Sequence, residues 1–315
     1  MSSGTAALEI ILRGLKINGG EVIVPTNTFA ATAFSVLHAG GIPVFADCGQ
    51  DLCVDPEEVA KRITRNTKAI ITVHIGGLVS PSTHELVSLC RRKSLPLIED
   101  AAHAHGSALK GQQAGTFGVA GAFSFFATKV MTTGEGGMIV TDDRGMYEQA
   151  LVLRDQAKVR GMNLHETLGH NWRLTEMQAL LGLAQLRRLD EFIARRQHIA
   201  AIYDTAFSGL PGLMPLHVPP DVRHNFYKYV LLLERPGNIL ELESRLRQEF
   251  GVAMGGRVYD LPCHAQPVFR PFNSAPLPVA EDLCRRHLCP PIYPLLTDEE
   301  AHYVAQSMIC CVRET

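Results

Sequence analysis

The chain has 315 residues, of which 46% are hydrophobic and 20% charged, and its 30 basic and 32 acidic side chains give a net charge of −2. At roughly 150 residues per domain, this length predicts two domains with enough apolar sequence for a large core. Because the charges nearly balance, the chain as a whole has no strong positive electrostatic field that would hold nucleic acid or an anionic membrane. No apolar run approaches the ~18 residues that cross a bilayer. We therefore expect a small-molecule partner, with no nucleic acid and no membrane.

Cysteine and histidine spacing argues against several further kinds of site. The eight cysteines form no CxxC pair and follow no secretory segment, so we expect reduced thiols and a cytoplasmic location. The 13 histidines include no HExxH or other compact ligand motif, which argues against a zinc site. Neither a Walker A pattern nor GxGxxG is present, so nucleotide binding of those two types is not expected.

From residue 21 to about 143, short runs rich in Val, Ile and Phe alternate with stretches of helical spacing. This rhythm predicts βαβ units, and because most runs lack polar alternation, their strands should be covered on both faces of a mainly parallel sheet. The predicted strands are Val22–Val24, Pro43–Ala46, Ala69–His74, Leu95–Glu99, Ala122–Phe126 and Met138–Thr141. The predicted helices are Thr5–Leu15, Phe29–Ala39, Pro56–Ile63, Thr83–Lys93 and Arg144–Leu153. Asp55, followed by Pro56 and two glutamates, predicts a capped helix start.

A different pattern begins at Thr175, where Thr175-x-x-Gln178 predicts a capping box. Helical periodicity continues to about Phe207, and ~32 helical residues would span about 48 Å. A proline-rich linker is predicted at Leu210–Asp221, followed by a strand at Tyr227–Leu233 and a helix at Ile239–Phe250. A final helix is predicted to begin with its own capping box, Thr297-x-x-Glu300. We expect a large domain, residues 1–207, with a connecting helix at 175–207, and a small α+β domain, residues 208–315.

Three short segments carry side chains suited to catalysis. Asp100 ends an apolar strand at the edge where open α/β sheets bind ligands, although a helix cap would have the same pattern. Lys129 follows another strand, and a desolvated lysine can form a Schiff base, whereas most lone lysines are solvated. The segment Ser2-Ser3-Gly4-Thr5 opens a helix whose free amides suit a phosphate, but it is also an ordinary N-cap.

Several short segments occur in an order that resembles one family. They are SSGTAAL, VPTNTFAATA, EDAAHAHG, SFFATK followed by GEGG, and HNWRLTEMQALLGLAQL. It is the DegT/DnrJ/EryC1/StrS family of sugar aminotransferases, which depend on pyridoxal 5'-phosphate (PLP). The resemblance extends to PPIYPLLTDEE near the end of the chain. It implies an α/β chain with the PLP-dependent transferase fold of the aspartate-aminotransferase type, fold type I. Such a chain has a mainly parallel sheet in its large domain and a smaller α+β C-terminal domain.

The resemblance also implies a role for individual residues around the cofactor ring. Lys129 would hold PLP through a Schiff base and then move a proton between substrate and cofactor. Asp100 would pair with the protonated pyridine nitrogen and keep the ring an electron sink. Phe29 would stack on the ring, and His103 would stand beside its phenolic oxygen. The segment Arg257–Phe269, including His264, is expected to line the sugar pocket.

The phosphate of the cofactor has its own implied residues. They are the backbone of Gly4, Thr5 and Ala6 and the hydroxyl of Ser124. Asn171 matches a residue that reaches the phosphate of the neighbouring subunit. The resemblance therefore implies a homodimer with a shared active site.

The implied reaction moves an amino group, usually from glutamate, to a nucleotide-linked keto-deoxysugar. Relatives carry a few dozen residues before the SGT motif, whereas Met1 stands just before it here. We expect a fragment or mis-started reading frame, and a naturally shortened member is the other explanation. A truncated, non-catalytic PLP-binding or interaction protein of the same fold is therefore an alternative. A lysine Schiff-base aldolase is a third hypothesis, but it leaves Asp100 and the SGT loop unexplained.

Overall fold

The computed structural model describes residues 1–159, 162–165, 167–234, 239–272 and 275–313. Its α-helices are α1 Gly4–Gly14, α2 Ala30–His38, α3 Pro56–Arg62, α4 Thr83–Lys93, α5 Arg144–Arg154, α6 Glu176–Arg187, α7 Leu189–Phe207, α8 Ile239–Phe250, α9 Pro278–Arg286 and α10 Asp298–Arg313. Its strands are β1 Glu21–Pro25, β2 Ile42–Ala46, β3 Thr67–Val73, β4 Leu97–Asp100, β5 Ala108–Leu109, β6 Gln112–Gln113, β7 Ala120–Ser124, β8 Gly137–Val140, β9 Leu213–Pro215, β10 Val222–Arg223, β11 Leu231–Leu233 and β12 His287–Leu288. Short 3₁₀ turns occupy Ile75–Gly77, Cys263–Ala265 and Pro267–Phe272.

The central sheet has the strand order β2-β1-β3-β4-β7-β8. Its first five strands run parallel, and β8 is antiparallel to β7. The predicted mainly parallel sheet is therefore confirmed. In this order β4 and β7 are neighbours, with Asp100 level with Ala122. Strand-end side chains of β4 and β7 consequently lie at one edge of the sheet.

Apolar side chains cover both faces of this sheet. On one face Val22 and Ile71 pack with Ile11 of α1 in the largest core cluster. On the other face Ile23 and Ile70 pack with residues of α3 and α4. Adjacent residues of one strand thus face opposite cores, which explains why the strand sequences lack polar alternation.

The C-terminal third contributes to two cores. One cluster joins α7, α8 and α10 to β9 and β11 around Tyr203, Phe207 and Met308. Other C-terminal residues, among them Cys263 and Phe269, belong to the large cluster built on the central sheet. In addition, β10 pairs with β5. The domain boundary at 207/208 stays a prediction.

The single long helix expected at 175–207 is wrong, because the structure has two helices, α6 and α7, in this segment. Arg188 separates them with φ −104° and ψ 2°. Its amide bonds to the carbonyl of Gln185, three residues back, which tightens the last turn of α6 and interrupts the α-helical hydrogen bonding. The strand expected at Tyr227–Leu233 is also shorter, at Leu231–Leu233, and the expected linker contains β9.

Local capping predictions are confirmed. The Asp55 side chain accepts a hydrogen bond from the Glu57 amide, with Pro56 in the first turn of α3. The Thr175 hydroxyl and the Gln178 side chain form a complete capping box on α6. No helix among the described residues is long and apolar enough to span a membrane.

Candidate active site

A cavity of about 400 Å³ lies where β4 and β7 end and where α1 and α2 begin. It brings together seven of the nine residues predicted for the site. They are Gly4, Thr5, Phe29, Asp100, His103, Ser124 and Lys129. Parallel strands that end at one edge of the sheet place residues distant in sequence around one pocket.

The two other predicted residues lie outside this cavity. The Ala6 amide donates to Ser3 Oγ at 3.1 Å, so a side chain already caps this donor. Asn171 is exposed and forms an isolated β-bridge with Asp155. The expected contact of Asn171 with a neighbouring subunit therefore remains a prediction.

Lys129 has an amine that is poorly solvated but unpaired. Burial lowers its pKa from the usual 10.5 to about 8, and the Asp100 carboxylate opposes this shift. Its Nζ lies 4.8 Å from the centre of the Tyr227 ring. Within the described part of the chain, no carboxylate forms a salt bridge with it. With this pKa about a tenth of the amine is unprotonated at pH 7, and the unprotonated form is the one that attacks carbonyl carbons.

Asp100 is a buried carboxylate with two hydrogen-bond donors. Thr32 Oγ1 donates to its Oδ2 at 2.8 Å, and the Ala102 amide donates to its Oδ1 at 3.2 Å. Burial raises the pKa of Asp100, whereas both donors and the Lys129 cation oppose that rise. These donors favour the ionised carboxylate, which suits a partner that carries a proton.

His103 is buried and neutral. Burial, followed by the charge of Lys129, lowers its pKa well below 6.5. Its ring stacks on Tyr227 with centroids 4.3 Å apart. Its buried Nδ1 has no hydrogen-bond partner among the described residues. An unpaired buried polar atom beside the cavity is a feature that a bound polar ligand would satisfy.

The start of α1 forms the anion-binding end of the cavity. Among the described residues, the amides of Gly4 and Thr5 have no hydrogen-bond partner, and both residues line the cavity. A Cβ at Gly4 would lie 2.9 Å from Ser124 Cβ, so glycine allows α1 to start directly against β7. A helix N-terminus with free amides stabilises a phosphate.

Sequence reasoning missed several lining residues. They are Thr128, Glu135, Tyr227 and Lys228. Tyr227 and Lys228 follow a loop about 100 residues after Lys129, and no local motif marks them. Arg257 and Tyr259, which belong to the segment expected to line the sugar pocket, line this cavity. His264 does not: it bonds Thr26 Oγ1 at 2.6 Å and Glu281 at 3.0 Å beside a separate cavity of about 540 Å³.

The residues of the cavity fit PLP. Its phosphate matches the amides at the start of α1, its pyridine nitrogen matches the Asp100 carboxylate, and its aldehyde matches the Lys129 amine. Phe29 is 66% exposed although it is a large apolar residue, which leaves its ring face free for stacking. Among the described residues, no cluster of His, Cys, Asp and Glu is arranged to hold a metal ion.

Comparison with known proteins gives one consistent answer. Residues 1–309 match the profile of the DegT/DnrJ/EryC1/StrS aminotransferase family. GDP-perosamine synthase of Escherichia coli O157:H7 is 34% identical over 98% of this chain and 84% of its own length. UDP-N-acetyl-3-dehydro-alpha-D-glucosamine 3-aminotransferase of Acidithiobacillus ferrooxidans is 36% identical over 96% of this chain and 81% of its own length.

Solved structures show the same similarity. Helicobacter pylori PseC, an aminotransferase involved in the biosynthesis of pseudoaminic acid, superimposes with a TM-score of 0.94 and 30% identity. That match covers 100% of this chain and 86% of the solved chain. Similar solved structures include PLP and pyridoxamine phosphate forms, in accord with the PLP dependence of the family. The fold is therefore that of PLP-dependent aminotransferases, and this chain is an enzyme that belongs to the DegT/DnrJ/EryC1/StrS aminotransferase family.

Proposed function

We propose that this aminotransferase moves an amino group from glutamate to a nucleotide-linked keto-deoxysugar. The observation that carries the proposal is the unpaired, desolvated Lys129 amine beside buried Asp100 in a cavity that opens onto the start of α1. The names of the two curated relatives refer to GDP- and UDP-linked sugars, which supports a sugar nucleotide as the acceptor.

Cationic side chains at the cavity support anionic substrates. Lys228 and Arg257 both line it, and Lys228 Nζ donates to the carbonyls of Gly255 and Gly256. A sugar nucleotide presents a diphosphate and glutamate presents carboxylates, and both are anions that such cations attract. The chemistry therefore fits both proposed substrates.

Each catalytic group of the chain has a distinct task in this proposal. Bound PLP supplies an electron sink for the carbon that gains or loses the amino group. Lys129 holds the cofactor and, once released from it, accepts and returns a proton at Nζ. Asp100 stays ionised and keeps a proton on its partner nitrogen, while the start of α1 fixes the phosphate end.

The first experiment adds PLP to the purified chain and records the visible absorbance before and after glutamate is added. We expect a band from covalently bound cofactor that shifts with glutamate. Lys129→Ala should lose the covalent band, whereas Lys93→Ala, at an exposed helix end, should retain it. A retained covalent band in Lys129→Ala would refute the assignment of this lysine.

The second experiment separates an enzyme from a non-catalytic PLP-binding protein. The PLP-loaded chain is incubated with glutamate and a panel of dTDP-, UDP- and GDP-linked keto sugars. Formation of an amino sugar together with 2-oxoglutarate supports the proposed reaction. Cofactor binding without amine transfer to any of these sugars would instead favour the non-catalytic alternative.

We also propose a homodimer with a shared active site. No residue of α6 is buried, and its apolar side chains Met177, Leu180, Leu183 and Leu186 are between 54% and 77% exposed. A largely apolar cavity of about 410 Å³ lies beneath this helix, next to His105 and Phe123. Asn171 is exposed and stands shortly before α6, so it is available for contact with a second copy seated on this surface.

The absence of disulfides among the described residues supports the cytoplasmic location proposed for this enzyme. None of the eight cysteines forms a disulfide bond in the part of the chain that the structure describes. Seven of them are buried, where reduced thiols behave as small apolar side chains.

A further inference from the structure

A line of buried hydroxyl groups lies behind Asp100. Thr28 Oγ1 is 2.8 Å from Thr32 Oγ1, and Thr32 Oγ1 donates to Asp100 Oδ2 at 2.8 Å. Both threonines have no exposed surface, and neither lines the cavity. These groups therefore act on a ligand of the cavity only through Asp100.

The direction of these hydrogen bonds follows from counting protons. A threonine hydroxyl has one hydrogen to donate and two lone pairs to accept. Thr32 gives its hydrogen to Asp100, so Thr28 must donate its own to Thr32. The result is a chain of hydrogen bonds with one direction: Thr28 donates to Thr32, and Thr32 donates to Asp100. The hydrogen bond that Thr32 Oγ1 accepts from Thr28 strengthens the bond that Thr32 donates to Asp100.

The local sequence builds this arrangement around the start of α2. Thr28 precedes the N-cap residue Phe29 and Thr32 lies in the first turn of α2, where the two hydroxyls meet at 2.8 Å. Phe29 stands between them as the N-terminal flanking residue and turns its ring into the cavity. One five-residue segment thus supplies both a ring-stacking surface and the hydroxyl support for Asp100.

We propose that Thr32, supported by Thr28, is a positioning residue that keeps the Asp100 carboxylate ionised and fixes its orientation toward the cofactor nitrogen. This inference rests on the proposed function, in which Asp100 pairs with that nitrogen. The other donor to Asp100, the Ala102 amide, is longer at 3.2 Å. A buried carboxylate with one weak donor would be protonated more easily.

Other charged or titratable groups also act on Asp100. Lys129 and His74 favour its ionised form, whereas Asp100 itself disfavours ionisation of Tyr259. These groups remain unchanged when a threonine is replaced, so a substitution at Thr32 isolates the contribution of the hydroxyl.

The test uses Thr32→Val, which keeps the shape of the side chain but removes its hydroxyl. Its readout is the titration of the Asp100 carboxyl by 13C NMR in the full, cofactor-free chain, with the signal assigned through Asp100→Asn. Loss of a donor to the charged form should weaken the acidity of Asp100 about tenfold, while Thr28→Val produces a smaller change in the same direction. Thr32→Ser should titrate like the wild type.

A second readout follows PLP binding. We expect Thr32→Val to bind PLP about tenfold more weakly and Thr32→Ser to restore the affinity. Unchanged titration in Thr32→Val, or no rescue by serine, would overturn the inference. Should Thr32→Val fail to fold, Thr32→Ala, which also lacks the hydroxyl, and Thr28→Val decide the question by the same titration. A wild-type chain that binds no PLP would count against the proposed function, whereas the titration would still measure the support that Thr32 gives Asp100.

Discussion

At the scale of single residues, the active site depends on two ionisable groups whose pKa values move toward each other. Burial lowers the pKa of Lys129 and raises that of Asp100, while their mutual attraction opposes both shifts. In bulk water their ordinary pKa values lie far apart. The cavity therefore keeps a reactive amine beside a carboxylate at a pH where a free lysine would be almost fully protonated.

This environment predicts the pH dependence of cofactor capture. Only the neutral Lys129 amine attacks an aldehyde, so the capture rate should rise tenfold per pH unit and level off near pH 8, because the pKa of Lys129 is about 8. Stopped-flow absorbance with PLP between pH 6 and 10 measures the profile. Asp100→Asn removes the anion that opposes the shift, so its profile should move to lower pH. A midpoint near 10.5 in the wild type would contradict this account.

At the scale of secondary structure, α3 depends on its first residues. It has seven residues and one buried side chain, Val59, so tertiary packing supports it little. Asp55 caps the Glu57 amide at 2.8 Å. Short helices with few buried residues rely on such caps because the free amides of their first turn are otherwise satisfied only by water.

We expect Asp55→Ala to lower the free energy of unfolding by about 1 kcal/mol. Urea denaturation followed by circular dichroism measures this difference. Asp142→Ala is the matched control, since Asp142 is exposed and caps no helix among the described residues, and its effect should stay within about 0.5 kcal/mol. Equal effects for the two variants would show that the cap does not stabilise α3.

Helix α6 has the opposite character, since its apolar side chains face outward. If this surface seats a second copy, Leu180→Glu should place a charge in the interface and halve the mass measured by light scattering. Leu240→Glu is a suitable control, because Leu240 on α8 is 66% exposed compared with 62% for Leu180. A wild-type chain that is itself monomeric, or an equal loss of mass in the control, would contradict the proposed interface.

At the scale of the whole molecule, Arg196 ties α7 to two distant segments. Its Nη1 donates to the carbonyls of Phe226 and Ile292 at 3.0 and 2.8 Å. Burial lowers the pKa of Arg196 to about 10, so it remains a cation at neutral pH. A buried charge with fixed acceptors links elements that hydrophobic contacts alone would join less specifically.

Replacing Arg196 by methionine should therefore destabilise the chain by about 3 kcal/mol, because two buried carbonyls lose their donor. Arg247→Met, at an exposed position on α8, is the control and should change stability by less than about 0.5 kcal/mol. Thermal and urea unfolding give both values. Equal stability of the two variants would show that the buried guanidinium does not hold these segments together.

The sequence by itself determined the features that depend on neighbouring residues. Caps at Asp55 and Thr175 were predictable because a side chain there reaches an amide two or three positions away. Asp100 ends β4 and Lys129 follows the end of β7, and parallel strands bring such ends to one edge of the sheet. The order of short motifs was sufficient to predict the family, the fold and the cofactor.

Only the tertiary structure decided contacts between segments far apart in the chain. The bond from Thr32 to Asp100 joins residues 68 positions apart. Tyr227 covers His103 and Lys129 because a C-terminal loop packs over the end of the sheet. The break at Arg188 also appears only in the structure, since helical periodicity continues through it in the sequence. Such features depend on the packing of whole elements, which no local pattern of residue types records.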